Sequence, residues 1–257
     1  MSSHALGDTA VLTGRSLRHI LRSPDTIITT ALMPIAMMLL FVYVFGGAVD
    51  TGQGVGGGSY VSYLLPGILL ITVASGIAYT AFRLFMDMSG GIVERFRSMP
   101  VARSSVLWAH VLTSLVAILA SLVVVVGVAL LMGFRSSAGP LAWLAVIGIL
   151  VLFTLALTWV AVIPGLTAKS VDGASAFSYP LIFLPFLSSA FVPTASMPGP
   201  VRWFAEHQPV TAIVDAIRGL LAAQPVTADI WMALAWCVGG LAVAFVAATA
   251  IYRRKVS

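Results

Sequence analysis

A group of charged side chains lies in residues 85–104, FMDMSGGIVERFRSMPVARS, between two long apolar stretches. Glycines at 90 and 91 end the preceding stretch, and Pro100 ends the segment that follows. The pattern between them predicts a short amphipathic helix, because apolar residues recur at positions 92, 96 and 99. Charged side chains that can form ion pairs, next to an apolar helix face, suit docking to a soluble protein. Attachment of the helix to lipid headgroups explains the pattern equally well. The side chains concerned are Ile92, Glu94, Arg95, Phe96, Arg97 and Met99.

Catalytic and metal-binding motifs are absent from the sequence. Ala168–Ser170 contains a lysine and a serine but lacks the glycines of a phosphate-binding Walker loop, and neither an HExxH nor a GxSxG motif occurs. The four histidines have no metal-ligand spacing, and no acidic residue lies deep within an apolar stretch. We therefore expect no cofactor in this chain, and energy for uphill transport would come from another chain. The single cysteine, Cys237, is interpreted as a packing residue.

The elements that carry these residues are long apolar helices. Of the 257 residues, 60% are hydrophobic and only 9% are charged, whereas soluble domains carry about 25% charged residues. Six stretches without Asp, Glu, Lys or Arg each reach the roughly 20 residues that a helix needs to cross a bilayer. The sequence therefore predicts one all-α integral membrane domain over residues 1–257. Its six spans are expected near residues 27–47, 61–82, 105–132, 142–165, 174–192 and 230–251.

Basic residues predict the orientation of the six spans. Eleven of the 14 Lys and Arg residues fall on one side of the membrane and three on the other. Because positively charged loops stay inside, the richer side is assigned to the cytoplasm, and an even number of spans keeps both termini there. The eleven are Arg15, Arg18, Arg22, Arg83, Arg95, Arg97, Arg103, Lys169, Arg253, Arg254 and Lys255, and the three are Arg135, Arg202 and Arg218.

Segments outside the spans complete the predicted architecture. Residues 14–22 are amphipathic and basic, which predicts an interfacial helix on the cytoplasmic leaflet. Residues 50–59 are rich in glycine and are expected to form a flexible external connection. The stretch 193–229 contains two short helical patterns, Pro200–His207 and Pro209–Ala222, neither long enough to span. In the second pattern, Asp215 and Arg218 are able to form an ion pair at i, i+3. A re-entrant or interfacial helical hairpin in the outer leaflet is expected there, before the last span.

Three segments carry a resemblance to a known family. Residues 91–112, GIVERFRSMPVARSSVLWAHVL, resemble the cytoplasmic loop and coupling helix of ABC-2-type permeases of ATP-binding cassette exporters, especially the daunorubicin-resistance-like branch. Residues 166–221 resemble the same family, most specifically in FVPTASMP and HQPVTAIVDAIRGL. The basic N-terminal helix is the third segment. Relatives often have Asn immediately before the proline that corresponds to Pro209, where this chain has Gln208. Gln keeps the amide group, so the turn at this proline is expected to be preserved.

The resemblance implies that two permease subunits, most simply two copies of this chain, assemble with two nucleotide-binding subunits in a bacterial cell membrane. ATP and Mg²⁺ would then be bound by the partner ATPase. Its movement would reach the membrane through the coupling helix, where charged side chains pair with the partner and Phe96 enters an apolar pocket. Lys169 and Asp172, in the loop 167–173, would make a second contact. Topology marking and headgroup binding are the alternative roles of Arg95 and Arg97.

In similar permeases the second and fifth spans line a cavity at the dimer axis, so cargo contact is expected on the matching residues here. Aromatic faces with a few hydroxyl groups suit an apolar, planar or amphipathic molecule. Helix packing and placement at the membrane interface are the alternative explanation for each side chain. Pro180 and Pro185 are expected to kink the fifth span. The candidate residues are Thr72, Ser75 and Tyr79 in the second span and Phe177, Tyr179, Phe183 and Phe186 in the fifth.

The predicted function is that of an exporter's permease subunit, which moves a hydrophobic or amphipathic drug, antibiotic or lipid-like compound out of the cytoplasm without hydrolysing ATP itself. Export of a glycan or lipid-linked polymer is the alternative within the family. A non-transporting membrane scaffold is the alternative from another class, and the coupling-like loop argues against it. Contact with membrane lipids is expected, and binding to nucleic acid is not, because the basic residues occur in short clusters between apolar runs.

Overall fold

The computed structural model describes residues 25–45, 60–90, 103–225 and 228–256, and within these ranges every regular element is a helix. The predicted interfacial helix at 14–22, the glycine-rich connection at 50–59 and the coupling helix at 92–99 lie outside the described residues and stay predictions. The helices are α1 (Asp25–Leu40), α2 (Tyr60–Ser89), α3 (Arg103–Leu131), α4 (Pro140–Thr167), α5 (Val171–Ala176), α6 (Ser178–Phe183), α7 (Gly199–His207), α8 (Pro209–Leu221) and α9 (Ala228–Val256).

Long apolar helices occupy four of the six predicted span positions within the described residues. Two shorter apolar helical segments, Ile28–Val44 and Val171–Leu187, lie at the predicted first and fifth spans. The first of these includes a π-helical turn, Phe41–Phe45, that continues α1. The all-helical class is confirmed by these elements. The described helices that are long and apolar enough to cross a membrane are Tyr60–Ser89, Leu107–Leu131, Pro140–Thr167 and Ala228–Arg254.

Helix α2 is the centre of the bundle. It contacts α1, α3, α4, α5, α6 and α8, and 78% of the residues in its most apolar stretch are buried, against 17% for α9. Glycine makes this crowding possible, because a Cβ atom on Gly67 would lie only 2.6 Å from the Cβ of Ala190. A long helix that is buried on nearly all sides is hydrophobic all round, as this sequence is.

The predicted fifth span is broken into pieces. It consists of α5, α6 and a 3-10 turn, Leu184–Leu187, with a break at Phe177. Proline lacks the N–H group that bonds to the carbonyl four residues earlier, and its ring clashes with that carbonyl. Pro180 therefore interrupts the helix at Ala176, and Pro185 lies in the tighter 3-10 turn. At these two prolines the α-helical hydrogen bonding is interrupted, while the backbone of Phe177, Phe183 and Leu184 keeps right-handed helical dihedral angles.

Residues 199–221 form the two short helices predicted from their sequence pattern. The apolar face of α8 is buried and packs against α2, α4 and α9. In α7, by contrast, Trp203 is 64% exposed and Ala205 is the buried residue. The two helices thus differ in environment, since α8 belongs to the core and α7 lies at its edge.

Candidate functional site

A groove with a volume of about 300 Å³ opens between α1, α2 and α5. It lies beside the last four turns of α2, the end that leads into residues 91–102. Five of the seven lining residues carry a hydroxyl group, and two of the seven are aromatic. They are Thr29, Thr30, Ser75, Ala78, Tyr79, Phe82 and Ser175.

Aromatic rings form one wall of this α1–α2–α5 groove. The ring centroids of Tyr79 and Phe82 are 5.9 Å apart and the rings are tilted by 33°. The guanidinium carbon of Arg83 lies 5.9 Å from the centroid of the Tyr79 ring, in a cation–π contact at the rim. The wall therefore offers an apolar face to a flat molecule, with a positive charge at its edge.

A glycine sets the width of the groove. A Cβ atom on Gly76 would lie 2.5 Å from the side chain of Ile118 and 3.3 Å from the methyl carbon of Thr30. Without a side chain at this position, α1 and α3 approach α2 closely. The same close approach places Thr30 against α2, and both Thr30 and Ser75 line the groove.

The predicted cargo residues are divided among different surroundings. Ser75 and Tyr79 line the groove, whereas Thr72 is fully buried on α2 and donates its hydroxyl to the Ile68 carbonyl at 2.8 Å. Phe186 is half-buried and stacks on Phe191, with centroids 4.8 Å apart. The side chains of Tyr179 and Phe183 are 62% and 63% exposed on α6, and Phe177 packs against the core without lining the groove.

Several groove residues were not among the predicted cargo residues. Thr29 and Thr30 come from α1, and Ser175 comes from α5. Paired threonines near the start of an apolar helix were a signal, because hydroxyl groups are costly in lipid unless they are satisfied. The sequence did not indicate that α1 contributes, since the close contact between α1 and α2 depends on packing at Gly76.

The loop between α4 and α5 exposes the two residues predicted as a second partner contact. Lys169 and Asp172 are both exposed. Ser170 caps α5 by accepting a hydrogen bond from the backbone N–H of Gly173 at 3.1 Å. Asp172 lies in the first turn of α5, where a negative charge is favourable. The structure thus places an ordered, charged turn on the same end of the bundle as the end of α2.

Ion pairs hold the opposite end of the broken fifth span in place. Arg218 pairs with Asp215 at 2.6 Å, which confirms the predicted i, i+3 pair, and donates to the Ser189 carbonyl at 2.8 Å. Its guanidinium carbon also lies 4.1 Å from the centroid of the Tyr63 ring. Burial raises the pKa of Asp215, although hydrogen bonds from Ser189 and the charge of Arg218 act in the opposite direction.

Gln208 binds the same broken segment from the other side. Its side-chain amide nitrogen donates to the carbonyl groups of Leu187 and Leu184. These carbonyl groups belong to the 3-10 turn, which leaves them without the partners of a continuous α-helix. The predicted turn between α7 and α8 is present, and the amide of Gln208 satisfies two carbonyl groups of the neighbouring chain segment.

The described residues contain no group of three or more His, Cys, Asp or Glu side chains that could hold a metal ion. Cys237 is buried within the larger hydrophobic core, which agrees with a packing role.

The family model described as ABC-2 type transporter matches residues 8–222, which is most of the 257-residue chain. The chain belongs to the ABC-2 type transporter family. This family membership confirms the resemblance carried by residues 91–112 and 166–221.

Two relatives within the ABC-2 family are named for drug resistance. The daunorubicin resistance ABC transporter permease protein DrrB1 of Streptomyces coeruleorubidus is 30% identical over 240 residues, which are 90% of this chain and 81% of that protein. The probable doxorubicin resistance ABC transporter permease protein DrrC, found in two strains of Mycobacterium tuberculosis, is 28% identical over 252 residues, which are 97% of this chain and 89% of that protein.

Membership of the ABC-2 family confirms the predicted class of function, the membrane subunit of an ATP-binding cassette exporter. The chain is a multi-pass membrane protein, and ABC-2 permeases work with an ATP-binding subunit. Its relatives are transport permeases, and no enzymatic family is indicated.

The two helices that residues 91–102 connect are joined by a contact that the sequence pattern did not indicate. Nε2 of His110, on α3, lies 2.9 Å from Oδ2 of Asp87, on α2. The His110 side chain is 12% exposed and that of Asp87 is 40% exposed. Residues 91–102 connect these two helices, so the pair joins α2 and α3 close to the points where this connection leaves and re-enters the bundle.

Proposed function

We propose that this chain is one half of the transmembrane part of an exporter that moves a hydrophobic or amphipathic compound out of the cytoplasm. Six spans with both termini in the cytoplasm fit the apolar helices and the eleven-to-three distribution of basic residues. A second copy of the chain would complete the transmembrane part. The location would be a bacterial cell membrane, where α7 lies at the outer interface and the core helix α8 supports it.

The single observation that carries this proposal is the α1–α2–α5 groove. It combines aromatic rings with hydroxyl groups, as ligand sites for amphipathic molecules do. Its opening lies near the end of α2 that leads to the coupling loop, which is where a compound from the cytoplasm or the inner leaflet would enter. Drug-resistance relatives support a small amphipathic cargo. A volume of about 300 Å³ suits one small molecule better than a glycan or lipid-linked polymer.

The aromatic residues of the broken fifth span are proposed to continue the cargo path beyond the groove. Tyr179 and Phe183 are exposed in the single chain, on an interrupted helix that contacts α2. A second copy would turn this face into the wall of a shared cavity. Phe177 and Phe186 would support that wall from behind, because both pack partly buried against the core.

The ATP-binding partner is proposed to dock on the cytoplasmic end. It would bind ATP and Mg²⁺ and would contact the coupling helix at 92–99 together with Lys169 and Asp172. The ordered turn that exposes Lys169 and Asp172 supports this surface, as does the Asp87–His110 contact at the base of the coupling loop. A rigid connection between loop and spans is what transmission of movement requires.

The test is ATP-driven transport by the complete complex of permease and ATP-binding subunit in proteoliposomes. Changing Glu94, Arg95 and Phe96 together to alanine should leave membrane insertion intact and uncouple ATP hydrolysis from transport. The matched control replaces Arg202, Trp203 and Glu206 on the far-side helix α7 with alanine, and transport per ATP should then be unchanged.

Two results would contradict the proposal. Normal copurification and normal transport by the coupling-helix variant would exclude that helix as the transmission element. A wild-type complex that hydrolyses ATP but moves no amphipathic compound would favour the scaffold alternative.

A further inference from the structure

Several hydroxyl groups in the apolar helices are satisfied within their own helix, whereas the hydroxyl groups of Thr113 and Thr154 are buried singly without a hydrogen-bond partner in the part of the chain that the structure describes. Serine and threonine side chains return their hydrogen to the carbonyl oxygen four residues earlier, which removes the cost of a polar group among apolar neighbours. The bonds run from Thr72 to Ile68 (2.8 Å), Thr80 to Gly76 (3.4 Å), Ser121 to Ala117 (3.1 Å), Thr158 to Thr154 (2.6 Å), Thr167 to Ile163 (2.9 Å) and Thr249 to Phe245 (2.7 Å).

Four of the five hydroxyl-bearing residues that line the α1–α2–α5 groove differ from those bonded residues. Thr30, Ser75, Tyr79 and Ser175 make no side-chain hydrogen bond with any part of the chain that the structure describes. Three separate helices supply them, yet all four residues line one volume of about 300 Å³. The contrast is clear on α2 itself, where Thr72 and Thr80 are bonded to their own helix while Ser75 and Tyr79, between them, are not.

Charge does not dominate the groove. None of the seven lining residues is ionisable near neutral pH. The charged residues nearest to the lining in the sequence are of both signs: Arg83 directly follows Phe82, Asp172 precedes Ser175 by three residues, and Asp25 precedes Thr29 by four. Arg83 is also engaged with the Tyr79 ring. The lining therefore offers hydrogen bonds from uncharged groups beside an aromatic wall.

We propose that this groove selects cargo by hydrogen bonds to uncharged oxygen atoms. The preferred ligand is an amphiphile whose flat apolar part packs on Tyr79 and Phe82 and whose hydroxyl, carbonyl or ether oxygens bond to Thr30, Ser75 and Ser175. This assignment rests on the proposed export function and adds the chemical class of the cargo. Hydroxyl groups recognise such a partner well, since each both donates and accepts a hydrogen bond. A ligand of the same shape without oxygen atoms would leave them unpaired and would be rejected.

The experiment compares two probes that differ only in their polar groups. One is pyrene with a 2,3-dihydroxypropyl chain, and the other is pyrene with a propyl chain. Binding to the complete complex in phosphatidylcholine nanodiscs is followed by fluorescence anisotropy without ATP, so that the result does not depend on transport. The wild-type complex should bind the dihydroxypropyl probe at least about fivefold more tightly, which corresponds to one net hydrogen bond.

Three substitutions remove the hydroxyl groups and keep the shape of the side chains. Combined Ser75→Ala, Tyr79→Phe and Ser175→Ala should reduce the preference to about one while the propyl probe binds as before. The matched control is Thr80→Val, which removes a hydroxyl that is bonded within α2 outside the groove. That variant should keep the wild-type preference.

Several outcomes would overturn the assignment. These are a wild-type complex that prefers the propyl probe or binds neither, and a triple variant that keeps the full preference. Glycerol 3-phosphate, an analogue of the phosphatidylglycerol headgroup, is added as a competitor. If it displaces both probes and the complex does not discriminate between them, the hydroxyl groups bind lipid headgroups instead. Failure of the export proposal is distinct, because it would appear as selective binding without ATP-driven movement of the dihydroxypropyl probe.

Discussion

At the scale of single residues, the structure adds contacts between side chains on separate helices, which helical spacing in the sequence does not predict. Asp87 and His110 meet across α2 and α3, and Arg218 links α8 to the Ser189 carbonyl of the broken span. Sequence spacing predicted the Asp215–Arg218 pair because both residues lie on one helix, at i, i+3. It did not predict Asp87 with His110, since that contact requires knowing how two helices pack.

The Asp87–His110 contact is expected to serve transmission more than stability, because Asp87 is 40% exposed and such pairs contribute little to folding. Asp87→Asn and His110→Gln should each lower the number of molecules transported per ATP by up to about fivefold, the equivalent of about 1 kcal/mol. Thermal unfolding should change little. The exchanged pair, Asp87→His with His110→Asp, should recover most of the wild-type number of molecules transported per ATP. Equal ratios in all four proteins would show that the contact has no part in coupling.

At the scale of elements, apolar length and proline position determined most of what the sequence predicted. Four long helices lie where charge-free stretches predicted spans, and the two hairpin helices follow prolines as expected. The prolines predicted kinks in the fifth span, but the interruption of its α-helical hydrogen bonding also depends on which neighbours satisfy the released carbonyl groups. The sequence pattern did not indicate the π-helical turn after α1. Gln208 and Arg218 provide that satisfaction from residues more than 20 positions away.

Glycine positions on the helices yield a prediction about packing. Gly67→Ala should destabilise the protein by about 1–3 kcal/mol, because the added carbon would lie 2.6 Å from the Cβ of Ala190. Gly127→Ala on α3 is the matched control, since nothing lies within 4 Å of the added carbon. It should be neutral or stabilise by up to about 1 kcal/mol through helix propensity. Thermal unfolding in detergent compares the two, and equal losses would contradict the packing of α2 against Ala190.

At the scale of the whole molecule, the helices are buried to unequal extents, and a large apolar surface remains for lipid or another subunit to cover. α2 is enclosed, whereas α9 and much of α3 present apolar side chains outward. Lipid or a second copy accounts for these surfaces, and the groove lies between the enclosed helix and two others. Composition sufficed to predict a multi-pass membrane protein. The groove was only half predicted, since Ser75 and Tyr79 were identified and the contribution of α1 was not.

The central claim is that cargo binds in the α1–α2–α5 groove, and ATP-driven uptake of the dihydroxypropyl pyrene probe into inside-out proteoliposomes tests it most directly. Tyr79→Ala removes the aromatic wall and should lower uptake at least about tenfold, the equivalent of about 1.4 kcal/mol, while basal ATP hydrolysis continues. Tyr43→Ala is the matched control, because Tyr43 is 72% exposed and lies outside the groove. Uptake by Tyr79→Ala at the wild-type rate, with normal probe affinity, would contradict the account.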